Sequence, residues 1–359
     1  MGDIPLVSVI IDNYNYGRFI GEAIESVLRQ TFTNYELIIV DDGSNDNSRG
    51  IIDSYYHKHS EKIVLVYKEN GGQASAFNAG FKVAKGDIIA FLDSDDYWFE
   101  EKLAKVVEAH KEHAIVQHNL IKGEKKFYDI LESPYRQAWF RQYGYYDNFV
   151  PTSALSFTHK LLNKIFPIPE TNAVKICADA YIIGHALYLD NIYSIEDCLG
   201  FYRVHGNNLF YCAGDDERLG KITVALNETF VAKGLRSVPF HKTQADALVS
   251  AIEIKSEFTY LIYGTGTAAL KLYDRIIENG AKVSYFSDSN PQKWGSFIDK
   301  IKVVEPENIK MERNKFDKIV IGSSYIEDIL VKLSELGFIP QLDIVYPGMT
   351  TLKGSNRDE

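Results

Sequence analysis

The sequence predicts an α/β protein: a larger domain over 1–212 built on a parallel sheet, a helical connector over 213–256, a smaller α/β domain over 257–347, and a polar tail over 348–359. Three observations carry this. Short β-branched runs alternate with amphipathic helical stretches from Leu6 to about His110, the pattern that builds a parallel sheet. Two of those runs end in acidic turns, Asp41-Asp42-Gly43-Ser44 and Asp93-Ser94-Asp95-Asp96, at the strand ends where open α/β sheets hold ligands. A fresh strand, glycine turn and helix then begin at Thr259.

Taken in order, Leu6–Ile11 reads as the first strand. Phe19–Gln30 carries apolar side chains at Phe19, Ile20, Ala23, Ile24, Val27 and Leu28, the stripe of an amphipathic helix. Tyr35–Val40 is the second strand, Ser48–His57 a helix and Ile63–Tyr67 the third strand. Gly71-Gly72 opens a turn into the helix Ala74–Ala84, and Asp87–Leu92 is the fourth strand, followed by a helix over Glu100–His110. His57, His59, His110 and His113 fall on polar helix faces and are expected to meet solvent. The segment 122–171 is less regular and rich in aromatics, including Tyr135, Trp139, Phe140, Tyr143, Tyr145, Tyr146 and Phe149. It suits either a lid or acceptor platform, or plain packing of helix and loop.

Composition narrows the classes. Hydrophobic residues at 45% and charged residues at 25% are the mix of a globular protein, and no stretch approaches the roughly 18 apolar residues of a membrane span. The N-terminus lacks the basic region of a secretory signal, so a cytoplasmic location is the expectation. Cys177, Cys198 and Cys212 form neither a disulfide framework nor a common zinc pattern. A net charge of −10 argues against a nucleic-acid partner, although an acidic cluster holding a cation can still attract a diphosphate.

In Asp93-Ser94-Asp95-Asp96, carboxylates two apart on a loop can both turn toward one hard cation, and Mg²⁺ or Mn²⁺ prefers such oxygen ligands. In Asp41-Asp42-Gly43-Ser44, a carboxylate can accept from a uracil imide or a ribose hydroxyl, or the turn can simply cap a helix through Asp46 or Ser48. Either cluster alone is common. Their conjunction is more specific.

Val7-Ser8-Val9-Ile10-Ile11-Asp12-Asn13-Tyr14-Asn15, Val40–Asp46, Asn70–Gly80 and Phe91–Asp96, in that order, resemble the family 2 glycosyltransferases, enzymes of the GT-A fold, over about Leu6–Phe210. The resemblance implies nucleobase contacts from Asp41 and Asp42, with Asp12 and Tyr14 nearby, and further donor contacts from Gly72, Asn78 and Ser94. It makes Asp93 a ribose or metal contact and Asp95 the metal ligand proper. Cys177-Ala178-Asp179-Ala180-Tyr181 is similar to the family's base site, so Asp179 would deprotonate the acceptor in an inverting single displacement. Tyr202–Asn208 looks like the family's closing segment, in which Arg203 would grip the diphosphate and His205 would join the metal. The sequence departs from the family at Asp12, where many members carry Pro, at Phe77, where an Arg often stands, and at Ala178, where Glu is usual.

The implied reaction passes a sugar from a UDP-sugar to a glycan, lipid-linked saccharide or glycoprotein, with Mn²⁺ or Mg²⁺. Peripheral attachment to the inner face of a membrane and homo-oligomerisation are both compatible with it, though no amphipathic basic helix argues for the first. In the smaller domain, Gly264-Thr265-Gly266 followed by Asp288 has the context of a Rossmann-like dinucleotide fingerprint, and so marks a possible second nucleotide site. The competing functions are therefore a sugar-nucleotide oxidoreductase centred on that loop, or a non-catalytic sugar-nucleotide binding module.

Overall fold

The computed structural model describes residues 4–126, 151–171, 174, 178–206, 224, 226–235, 244–323, 325–340 and 342–346. The aromatic residues of 127–150, Cys177, Asn207, Asn208, Cys212 and the tail 348–359 lie outside the described residues. The chain divides into two compact units, with described residues up to 235 in the first and from 244 in the second.

The first unit opens with β1 (Val7–Asn13), α1 (Gly17–Leu28), β2 (Tyr35–Asp41), α2 (Ser48–His59), β3 (Ile63–Tyr67), α3 (Gln73–Val83) and β4 (Ile88–Asp93). The strands lie parallel in the order β3-β2-β1-β4. Val9, Ile10, Ile11, Leu37, Ile38, Phe91 and Leu92 are all buried, because a parallel sheet is covered on both faces; this is why its strands read as unbroken apolar runs. Ile20, Ala23, Ile24 and Val27 bury the inner stripe of α1, each larger side chain contributing about 1.5–3 kcal/mol on leaving water. The loop before α2 serves two helices at once: Asp46 accepts from Gly17 N at 2.9 Å and from Ser48 N at 2.9 Å.

After β3 the chain crosses through α3 to the opposite side of β1, so the winding reverses between β1 and β4. A crevice opens at the carboxyl ends of strands at such a point. There the register sets Asp12 of β1 beside Asp93 of β4.

The sheet continues through β5 (Tyr97–Trp98), α4 (Lys102–Ala109), β6 (Ile115–Lys122), β7 (Lys125–Lys126), β8 (Leu155–Thr158), α5 (His159–Leu162), α6 (Ala178–Leu189) and β9 (Ile192–Phe201). Its order beyond β4 is β8-β6-β9-β5, with β6 and β9 parallel and the other pairs antiparallel. The expectation of solvated histidines fails at His110 and His113. His110 bonds the His113 carbonyl at 2.8 Å and Ser156 Oγ at 2.9 Å, and burial pushes its pKa down to about 4. The His113 ring stacks on Tyr193 with centroids 4.1 Å apart.

The second unit holds α7 (Gln244–Ala251), β10 (Thr259–Tyr263), α8 (Thr267–Glu278), β11 (Lys282–Ser287), β12 (Phe297–Ile298), β13 (Ile301–Val304), β14 (Lys318–Ile321), α9 (Ile326–Glu335) and β15 (Ile344–Val345). Its parallel strands run β13-β11-β10-β14-β15, the third-second-first-fourth-fifth winding of a Rossmann-like sheet, with β12 antiparallel at the edge. Among the described residues no helix is long and apolar enough to cross a membrane.

Candidate active site

The acidic turn closes β4. Asp96 N donates to the Asp93 carbonyl at 3.0 Å, and one ligand atom from each of Asp93, Asp95 and Asp96 falls within 4.8 Å of the others. Burial, then repulsion from neighbouring carboxylates, holds Asp93 and Asp96 well above the usual carboxylate range. Burial also raises Asp12 to about 7, with Asp95 and Asp42 adding to the effect. A close set of like charges is costly by itself, and a divalent cation would relieve it, as protonation does. Asp96 is 1% exposed, and its oxygens accept from Ser153 Oγ at 2.6 Å and Arg203 N at 2.8 Å. It braces the turn. Asp93 and Asp95 are the two members of the trio best placed to hold a cation.

From β9 the chain returns over this turn. His205 Nε2 donates to Asp95 Oδ2 at 2.8 Å, and its ring packs on Tyr16 and Phe19 at 5.3 and 4.9 Å. Arg203 donates from Nε to the Asp95 carbonyl at 2.8 Å and from Nη2 to Glu22 at 2.5 Å, with its guanidinium 4.8 Å above the Phe19 ring. Tyr16, which sequence reasoning passed over, faces the same acids: burial and then the Asp95, Asp93 and Asp12 charges raise its hydroxyl to about 12.

Asp179 lies in the first turn of α6, where its Oδ1 accepts from Ala180 N at 2.7 Å. Burial raises its pKa, and its charge is among those that push Asp93 upward.

At the other end of the cleft, Asp41 is fully buried and accepts from Asn13 Nδ2 at 3.0 Å, Ser44 N at 3.2 Å and Arg49 Nε at 2.8 Å. Asp42 accepts from Lys68 Nζ at 2.5 Å and from the backbone of Gly71 and Gly72 at 2.9 and 2.7 Å. Gly43 has φ +78°, and a Cβ there would stand 2.7 Å from Asn70 N, so the turn after β2 and the turn after β3 meet backbone to backbone. An open depression of about 480 Å³ adjoins them, lined by Gly43, Arg49, Tyr67, Lys68, Glu69 and Asn70.

Of the remaining expected donor contacts, Tyr14 is 44% exposed and Ser94 is buried. Asn78 is not brought to the acids: its amide donates to the Ile168 carbonyl at 2.8 Å and accepts from Ile168 N at 2.7 Å, clamping a distant loop. Phe77 is fully buried against Phe91, centroids 4.7 Å apart, so this position belongs to the core. Two contributors carried no sequence signal. Gln73 donates to Asp93 Oδ1 at 3.3 Å. Ser153 bonds both ends of the acidic turn.

In the second unit, Gly264 takes φ +114° and a Cβ would lie 2.7 Å from the Gly322 carbonyl, while Gly266 has open space around it. Asp288 is engaged from within: Thr265 Oγ1 donates to its Oδ2 at 2.5 Å and Lys293 Nζ at 3.0 Å.

Residues 8–163 match the model of glycosyl transferase family 2. Over those residues the first unit carries the sequence pattern of this family. Residues 258–342 match a second model, described as C2185-like, N-terminal. An uncharacterized glycosyltransferase of Nostoc sp. is 40% identical over 212 residues, covering 56% of this chain and 66% of that protein. The glycosyltransferase GlyG of Streptococcus pneumoniae is 45% identical over 91 residues, 25% of this chain and 30% of its own. The chain therefore spans less than two thirds of the length of these relatives. A solved mannosyltransferase of Pyrobaculum calidifontis, in complex with GDP-Man and Mn²⁺, aligns with a TM-score of 0.50 at 21% identity, covering 64% of this chain and 65% of that one, a likeness of fold. The mixed sheet of the first unit is that of the GT-A fold, a parallel half continued by antiparallel strands beyond the switch point.

Proposed function

We propose that this protein is a family 2 glycosyltransferase that transfers a sugar from a nucleoside diphosphate donor, a UDP-sugar, to a hydroxyl of a glycan, lipid-linked saccharide or glycoprotein. The observation that carries the reading is the clustering of Asp93, Asp95 and Asp96 at the end of β4, with Asp12 in register beside Asp93 on β1 and the Asp41-Asp42 turn closing the next strand, β2. Mn²⁺ or Mg²⁺, when bound, neutralises the charge that grows on the leaving diphosphate. Asp93 and Asp95 would hold it, with His205 orienting or joining Asp95. Asp41 and Asp42 shape the nucleoside end. Asp179 takes the proton as the acceptor oxygen bonds the anomeric carbon and the bond from that carbon to the diphosphate breaks, which inverts the centre. A carboxylate made more basic by burial accepts that proton better than a solvated one.

The oxidoreductase alternative finds little in the second unit. The carboxylate that would hold a ribose, Asp288, already has Thr265 and Lys293 on it. Release of nucleoside diphosphate from UDP-glucose, UDP-galactose, their N-acetyl forms and GDP-mannose, with Mn²⁺ or Mg²⁺ and a panel of acceptors, tests the proposal. Donor binding without turnover anywhere in that panel would favour the non-catalytic binding module.

A further inference from the structure

We infer that Ser153 is a positioning residue for the cation site, an inference that rests on the reading of Asp93 and Asp95 as cation ligands. Ser153 sits in a short turn, Thr152–Ala154, immediately before β8, some sixty residues beyond the acidic turn in the chain. The antiparallel pairing of β8 with β4, Ala90 opposite Ser156, carries that short turn to the carboxyl end of β4. Ser153 is fully buried there.

One hydroxyl spans the whole turn. Ser153 Oγ donates to Asp96 Oδ2 at 2.6 Å and accepts from Asp93 N at 3.2 Å. Its carbonyl is held in turn by Trp98 Nε1 at 2.7 Å. The second Asp96 oxygen takes Arg203 N at 2.8 Å, and the same segment lays His205 on Asp95.

Three carboxylates this close repel, and without restraint each would turn to wherever its charge is best solvated. The Ser153 hydroxyl satisfies one Asp96 oxygen and the Arg203 amide the other. Asp96 is thereby retained as an anchor, and Asp93 and Asp95 are left as a preset pair. Preset ligands bind a cation more tightly than ligands that must first be ordered, and supporting partners of this kind commonly change metal affinity by about 10–100-fold.

The test is the Mn²⁺ dissociation constant of the full chain, read from the electron paramagnetic resonance of free Mn²⁺, with and without UDP. Ser153→Ala should weaken Mn²⁺ about tenfold, while the rate at saturating Mn²⁺ stays within a few-fold of the parent. Trp98→Phe removes the donor to the Ser153 carbonyl and leaves every carboxylate in place; it should shift the constant the same way by a smaller factor, and it keeps the inference testable if the alanine variant does not fold. Parent-like Mn²⁺ binding in whichever of the two variants folds overturns the role of Ser153. A parent protein that binds Mn²⁺ yet releases no nucleotide sinks the transferase reading and leaves the Ser153 measurement standing.

Discussion

Asp95 Oδ2 and His205 Nε2 lie 2.8 Å apart, although 110 residues separate them in the chain. The contact joins the end of β4 to the segment leaving β9, and it fixes an imidazole against the carboxylate proposed to hold the cation. His205→Ala should therefore weaken activation by Mn²⁺ by about 10–100-fold, with most of the rate recovered at high metal. A metal titration of nucleotide release measures this.

Asp95→Asn should abolish metal-dependent transfer, because an amide oxygen cannot replace an anionic ligand. The same change removes one charge from a cluster of mutually repelling acids, so the metal-free variant should melt no lower than the parent and by a few degrees higher. Thermal unfolding with and without Mn²⁺ separates the two effects: the parent should gain stability from the cation and the variant should not.

Asp179→Asn should leave UDP-sugar affinity nearly unchanged while slowing transfer by about 10²–10⁴-fold, the usual cost of losing a positioned base. Because the Asp179 pKa is raised, the acid limb of the parent's pH–rate profile should lie above the ordinary carboxylate range. Parent-rate transfer by the asparagine variant would require another base.

Asp12 provides a stability test with a defined sign. Its folded pKa of about 7 stands above the ordinary 3.8, so the folded state binds the extra proton between those values and loses stability as pH rises through them. The histidines His110, His118 and His185, pushed down by burial, act in the opposite direction as pH falls, so the parent alone is not diagnostic. The melting temperature of Asp12→Asn minus that of the parent, in metal-free buffer, should instead rise between pH 4 and 7. A flat difference would mean that Asp12 is no more basic folded than unfolded.

Gly264→Ala should destabilise the second unit by about 2 kcal/mol or more, since an alanine at φ +114° is strained and its Cβ meets the Gly322 carbonyl at 2.7 Å. Chemical denaturation reports it as a lowered midpoint.

The parallel half of the first unit was legible because its strands are unbroken apolar runs that stop at acidic or glycine turns. β1 to β4 needed no long-range information. The antiparallel half was not, since β6 places Gln117, His118 and Asn119 in the interior, where alternation would turn polar residues outward. The partners of Gln117 and Asn119, Ser194 Oγ at 2.8 Å and the Glu196 carbonyl at 2.8 Å, come from β9, far along the chain. The same distance hid Ser153 and sent Asn78 to Ile168, because a lone polar residue in sequence does not announce which segment it will meet. The Asp93–Asp96 turn was visible as a group, whereas the division of labour within it depends on Ser153 and Arg203.

The internal donors on Asp42 have a consequence for selectivity. With Lys68, Gly71 and Gly72 all holding that carboxylate, the mould around the depression beside it exists before any guest arrives, and little disorder remains to be lost when one does. A rigid mould discriminates by outline as much as by chemistry, so on the proposed reading a smaller side chain at Asn70 would change which heterocycle is admitted.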